Sequence, residues 1–264
     1  MISTSPQQPR RYHVPIHTKR SRRQRRYSPC ELAPGVNARG LGGTSLGDLG
    51  VIRSKTLLRC ASLTVAIAPA VRKWASAAGG IHLIDLRDLD EIESGASHTC
   101  GLRGLTVHRF TLKDPATPRP LARDRDLDYF RREYATMLLP AQHIAAYAVS
   151  LLATTDLPVA ITCQLGKDRT GVVVMALQHL LGVPHEQIID EFDRTAQWFA
   201  DHPEWVNRYA CLRSEDPVAV RQRVMLPRQI GEQAAARLLS ETPAVDPATR
   251  FRALRRVSSS MVIR

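Results

Sequence analysis

Cys163 and Arg169 are the residues in this chain best suited to do chemistry. They stand six positions apart in Ile161-Thr162-Cys163-Gln164-Leu165-Gly166-Lys167-Asp168-Arg169-Thr170-Gly171. Apolar runs flank the segment, which places the loop where a buried strand becomes a buried helix. Backbone amides in such a loop, together with a helix N-terminus, cradle an anion. A thiol ordinarily titrates near ~8.5, and a helix N-terminus with a nearby cation lowers that value, so Cys163 is expected to act as a nucleophile at neutral pH. Arg169 offers planar, two-pronged donors to phosphate oxygens. Thr170 can donate its hydroxyl to the sulfur and stabilise it as a leaving group. Gly166 and Gly171 let the backbone curl tightly and let a helix approach.

Four short apolar runs read as the strands that must position this loop: Thr56–Arg59, Ile81–Leu86 after the Gly79-Gly80 turn, Leu105–Leu112, and Val159–Thr162 opened by Pro158. Helical patterns lie between them, over Pro69–Ala78, Leu127–Leu139 and Ala141–Leu152. The last carries Ile144, Tyr147, Ala148, Leu151 and Leu152 at the spacing of one helix face. Thr170–Leu181 is apolar nearly all round, as a buried central helix is. Gly182 ends it, and Pro184 opens a further helix with Ile188, Ile189 and Phe192. Strands alternating with helices predict an α/β fold, a central and mainly parallel sheet flanked by helices. Trp198, Phe199 and Trp205 are expected to close the core. Gln229–Leu239 reads as a helix, and the residues after Glu241 as a tail.

The 264 residues suffice for one sizeable domain with tails. The net charge of +12 sits at the ends: residues 1–30 hold eight Lys/Arg and no acid, and residues 245–264 hold five Arg and one acid. The middle is balanced, which argues against a uniformly basic nucleic-acid-binding domain. The expected organisation is a disordered basic arm over 1–34, a catalytic domain over 35–225, and a C-terminal helix with a basic tail over 226–264. Apolar runs such as Val65–Val71 are far shorter than the ~20 residues that a bilayer requires, so no transmembrane segment is expected. The polar, Arg-rich start shows no secretory signal. Five Cys without CxxC pairs argue against a disulfide framework and a zinc ribbon, so the cytoplasm is the expected compartment. His82, His98, His108, His143 and His179 show no ligand spacing with Cys or carboxylates, so neither metal nor cofactor is expected.

The Cys163-x5-Arg169-Thr170-Gly171 loop resembles that of Cys-dependent protein tyrosine phosphatases, and its filling Gly166–Gly171 resembles the bacterial atypical branch, which includes the mycobacterial phosphatase B type. Three other segments carry the same resemblance. Asn37-Ala38-Arg39-Gly40-Leu41-Gly42-Gly43 is similar to the family's Asn-x-Arg-Asp-Leu-Gly-Gly, Leu58-Arg59-Cys60-Ala61-Ser62-Leu63 to its Arg-Ser-x-x-Leu, and Ile84-Asp85-Leu86-Arg87 with Glu91 to its Ile-Asp-Leu-Arg-x-x-x-Glu. The resemblance covers roughly 37–200. It implies a phosphotyrosine-phosphatase-like fold and hydrolysis of phosphotyrosine, with phosphoserine, phosphothreonine or phosphoinositide as further substrates.

The implied mechanism has two steps. Cys163 attacks phosphorus and makes a cysteinyl-phosphate, which water then cleaves. Arg169 and the loop residues Gln164, Leu165, Gly166, Lys167 and Gly171 hold the equatorial oxygens. Asp168, inside the loop, is the favoured general acid, and Asp114 in Lys113-Asp114-Pro115 is the runner-up. Lys167 adds charge suited to polyanionic head groups. Arg59, Asp85 and Arg87 are expected to brace the loop as a buried polar network.

Two departures from the family pattern bear on activity. Thr162 stands where the family usually has His, and Gly40 where it usually has Asp. They leave open a pseudophosphatase that binds phosphorylated partners without turnover. A rhodanese-type sulfur transferase also has a Cys-headed loop, which Lys167–Gly171 fits poorly. Cys60 and Cys100 read as ordinary thiols, with a protective disulfide to Cys163 as the alternative. The basic arm reads as a solvated tail, with anionic lipid and then nucleic acid as the partners it could contact.

Overall fold

A computed structural model describes residues 37–62, 75–94, 104–112, 126–212, 215–225, 228–240 and 245–259. The basic arm, Cys100, His98 and Asp114 lie outside these residues, as does most of the Pro69–Ala78 helix, of which 75–78 are helical.

Five strands form one sheet: β1 (Arg39–Gly40), β2 (Leu57–Cys60), β3 (Ile81–Asp85), β4 (Leu105–Arg109) and β5 (Val159–Thr162). Their order is β1-β2-β5-β3-β4. The β1–β2 pair is antiparallel and the other pairs are parallel, so the sheet is mainly parallel as expected. β2 and β5 are buried along their whole length, because helices cover both faces of a parallel sheet and leave no wet side. β4 is the exposed edge and ends at Arg109, short of the expected Leu112. Arg39–Gly40, read as loop, pairs with Arg59 and Leu58.

The helices are α1 (Leu89–Ser94), α2 (Leu127–Thr154), α3 (Asp168–Leu181), α4 (His185–Asp201), α5 (Pro203–Leu212), α6 (Pro217–Val224), α7 (Arg228–Ser240) and α8 (Pro247–Val257). α2 replaces two expected helices. Pro140 lies inside it and does not end it. An interior proline costs a helix about 3 kcal/mol, whereas each large apolar side chain gains about 1.5–3 kcal/mol on burial. Phe130, Tyr134, Met137, Leu138, Ile144, Val149 and Leu152 form one buried stripe across the proline, so burial wins. Once joined, α2 is long and apolar enough to cross a membrane by length and composition, which the split reading concealed. In this fold it is a core helix packed on α3, α7 and α8.

α3 is buried on nearly every side, with twelve of its fourteen residues out of solvent, and Gly182 ends it in the left-handed region at φ 85°. Phe192 from α4 wedges between two helices at glycines. A Cβ at Gly171 would lie 3.0 Å from its ring, and one at Gly231 would lie 2.5 Å away. Gly171 therefore permits the close helix approach.

The stretch read as a tail holds α8. Asp246 caps it by accepting from the amides of Ala248 (3.3 Å) and Thr249 (2.8 Å), and Ala253, Leu254 and Val257 are buried. Its arginines mask a short apolar stripe in the sequence. Arg250 Nε donates to the Leu180 carbonyl at 2.6 Å, tying α8 to the end of α3. Phe199 is buried in a smaller core with Val206, Ala210, Val220 and Val224, against which Trp198 packs. Trp205, expected in the core, is half-buried with the Arg208 guanidinium 5.3 Å from its ring centre.

Candidate active site

The loop 163–167 leaves the C-terminal end of central strand β5 and enters α3 at Asp168. Crevices outside the carboxyl ends of parallel strands are where such sheets bind ligands. Cys163 is buried. Gly166 has φ 64°, and a Cβ there would lie 2.5 Å from the Cys60 carbonyl carbon, so only glycine fits.

Three successive carbonyls of the loop are held from outside. Ser62 N–H donates to Gln164 O at 3.2 Å. Asn37 Nδ2 donates to Leu165 O at 3.2 Å and to Gly166 O at 2.9 Å. Arg59 Nη2 also donates to Gly166 O, at 2.7 Å. In a trans peptide the carbonyl and the following N–H point in opposite directions. The N–H groups of Leu165, Gly166 and Lys167 are thereby turned away from Ser62, Asn37 and Arg59, and no bond among the described residues uses them.

Arg169 is fixed by α1. Glu91 grips it with both oxygens, accepting from Nη1 at 2.5 Å and Nη2 at 2.8 Å. Nη1 also reaches Leu86 O (2.9 Å) and Asp88 (3.3 Å). Burial opposes the Arg169 charge, but the Glu91 hydrogen bonds, with Cys163 and Asp168, outweigh it and hold the guanidinium more firmly protonated than usual. Nε–H and one Nη2–H remain without a partner among the described residues, which leaves one edge of the fork for an oxyanion.

Asp168 is the first residue of α3, and its side chain is half-buried. Its Oδ1 accepts from Tyr134 Oη at 2.6 Å and from Lys167 Nζ at 2.5 Å. Tyr134 is buried in α2, and burial with the Asp168 charge pushes its hydroxyl well above its usual range, so it stays a donor. Thr170 Oγ1 is buried and makes no hydrogen bond among the described residues, so the expected donation to Cys163 is not formed here.

Thr162 Oγ1 donates to Ala61 O at 2.7 Å and thereby ties β5 to the end of β2. Cys60 lies beside Thr162 in register, and burial pushes its thiol up to about 12 against the Thr162 hydrogen bond. Cys60 packs with Leu58 and Ala160 on one face of the sheet, whereas Cys163 belongs to the core on the other. Asp85 and Arg87 close on each other, Nε to Oδ1 at 2.9 Å and Nη2 to Oδ2 at 2.7 Å.

Arg59 and Arg39 converge on Glu191 of α4. Glu191 Oε1 accepts from Arg39 Nε at 2.8 Å and from Arg59 Nη1 at 3.4 Å, and its carbonyl accepts from Arg39 Nη2 at 2.9 Å. Arg39 also bonds Thr195 Oγ1 at 2.9 Å, and its Nη1 donates to Asn37 Oδ1. Burial pulls the Arg39 and Arg59 guanidiniums below their ordinary range, and Glu191 is the main opposing influence on both.

Of the residues singled out in the sequence, the structure gathers Cys163–Gly171 and Arg59 into one site. Glu91, Glu191, Asn37 and Tyr134 join them without having been assigned a role. Glu91 and Asn37 stand inside two of the motifs noted above, which was the available signal. Glu191 and Tyr134 sit on amphipathic helices and left none.

No curated protein matches the chain. The family profile described as the tyrosine phosphatase family matches residues 30–257, from ahead of β1 to the end of α8. With its Cys-to-Arg loop at the end of the central strand and that match over most of its length, the chain belongs to the tyrosine phosphatase family.

Proposed function

We propose that the protein is a Cys-dependent phosphatase of the bacterial atypical branch that hydrolyses phosphotyrosine through a cysteinyl-phosphate. One observation carries the reading: beside buried Cys163, three successive loop amides and two N–H groups of buried Arg169 have no partner among the described residues. Those donors match the equatorial oxygens of a phosphoryl group in transfer.

In the first step the Cys163 thiolate forms the S–P bond while the bond from phosphorus to the phenolic oxygen breaks. Asp168 gives its proton to that oxygen. Tyr134 and Lys167 both donate to Oδ1 and hold the carboxyl in place. In the second step water attacks phosphorus, Asp168 takes up its proton, the S–P bond breaks, and inorganic phosphate leaves. Thr162 replaces part of the usual His network by tying the strand end to Ala61. Phosphoserine, phosphothreonine and phosphoinositides are the further substrates to compare.

The test is turnover of p-nitrophenyl phosphate by the wild type beside Cys163→Ser, in EDTA and without added metal. Turnover by the wild type alone supports the thiol mechanism. No turnover by a folded wild type overturns it and moves the weight to a pseudophosphatase, with Thr162→His as the rescue.

A further inference from the structure

We propose that Glu191, on α4 and outside the loop, is a positioning residue that sets the direction of the phosphate-binding amides; this rests on the phosphatase reading above. Two routes run from Glu191 to one carbonyl, Gly166 O. The direct route is Glu191 to Arg59 to Gly166 O, through bonds of 3.4 and 2.7 Å. The longer route is Glu191 to Arg39 (2.8 Å), then Asn37, then Gly166 O (2.9 Å) and Leu165 O (3.2 Å).

That carbonyl matters because of its peptide plane. With Gly166 O held outward, the Lys167 N–H must face inward, and the same logic ties Leu165 O to the Gly166 N–H. Both planes hinge on Gly166, through its φ for the 165–166 peptide and its ψ for the 166–167 peptide, and a residue without a Cβ resists such a flip least. The loop therefore needs an external hold at the position where it is softest.

Glu191 is what keeps that hold in place. Arg39, Arg59 and Arg194 all face its carboxylate, the last at 3.8 Å. Arg59 is completely buried, and no other carboxylate pairs with Arg39 or Arg59 among the described residues. Without the negative charge, two neighbouring guanidiniums face each other in a dry site, where an uncompensated charge is strongly disfavoured. One of them must withdraw: if Arg59 goes, Gly166 O loses a donor directly, and if Arg39 goes, Asn37, the other donor, loses the bond that fixes its side chain.

The test is calorimetric titration of inorganic phosphate into the wild type, Glu191→Gln and Asn37→Ala, with kcat and KM measured alongside. The dissociation constant is a property of the folded fraction. A variant that is merely less stable shows fewer sites at an unchanged constant. The proposal expects full occupancy for Glu191→Gln with phosphate bound about tenfold more weakly, the size of one charge-assisted hydrogen bond. It also expects a fall in kcat, because the same amides face the transition state. Asn37→Ala interrupts only the longer route and is expected to weaken phosphate several-fold with the buried charges intact. It carries the test if Glu191→Gln does not fold. Unchanged phosphate affinity in folded Glu191→Gln, or in Asn37→Ala where that variant stands in, overturns the proposal. Failure of the wild type to bind phosphate overturns the phosphatase reading instead.

Discussion

Glu91 and Arg169, 78 positions apart, are joined by two parallel hydrogen bonds of 2.5 and 2.8 Å between carboxylate and guanidinium. The pair fixes the plane of the fork and leaves Nε–H and one Nη2–H without a partner among the described residues. Glu91→Gln keeps the shape but loses the charge and one acceptor. We expect kcat to fall by about 10–100-fold, within the range for a misaligned transition-state donor, with a smaller change in KM. Steady-state kinetics on a phosphotyrosine peptide check this, with circular dichroism to show that the variant is folded.

Asp168→Asn separates the two candidate acids. A lost general acid costs about 10²–10⁴-fold in rate, and most of that loss falls on substrates whose leaving group is a poor one. We expect a large loss on phosphotyrosine and a small one on p-nitrophenyl phosphate, together with loss of the alkaline limb of the kcat profile. If Asp114→Asn shows that pattern and Asp168→Asn does not, the acid has been misassigned. Tyr134→Phe, which removes a donor at 2.6 Å, is expected to shift the same limb without abolishing turnover.

Gly231→Ala tests the Phe192 wedge. Alanine favours a helix over glycine by about 1 kcal/mol, but the new Cβ would sit 2.5 Å from Cδ1 of Phe192. Overpacking of that kind costs about 1–3 kcal/mol, so the clash is expected to dominate and Tm to fall by several degrees. Adding Phe192→Leu is expected to return part of the loss. Thermal melts of the single and double variants measure this, and a Tm that rises in the single variant refutes the wedge.

His82 and His108 form a hydrogen-bonded pair, Nδ1 to Nε2 at 2.9 Å, which Tyr147 Oη extends to His108 Nδ1 at 2.7 Å. Burial lowers the pKa of both rings, and His82 lowers His108 further. For a base whose folded value is depressed, the unfolded chain binds more protons. Stability from this pair is therefore present above the ordinary histidine value and is lost as pH falls through it. His82→Gln is expected to flatten the acid side of a Tm-against-pH curve. A residual slope from His179 is expected to remain, since burial lowers that ring too, with Arg250 and His185 adding to it.

The legible parts of this molecule are those where local pattern and burial agree. Val159–Thr162 and the stop at Gly182 could be read directly, because a fully buried strand and a left-handed helix end leave plain signatures. Pro140 was misleading: a proline breaks a helix only if nothing beyond it is worth burying, and that depends on tertiary packing. α8 was hidden because its arginines dominate its composition, although three buried residues decide its place. Within the site, Cys163 to Gly171 declare themselves by spacing. The carboxylates that orient the arginines do not, since Glu91 and Glu191 reach their partners across 78 to 152 positions. A polar residue on a helix looks solvated until the fold supplies what it faces.

Because α3 carries Arg169 and is buried on nearly every side, that end of the site has no hinge within the helix. Backbone amides along α3 belong to the part of the fold that exchanges with solvent only when the whole domain opens. Release of Arg169 from its place is then expected only where heat or denaturant opens the whole domain.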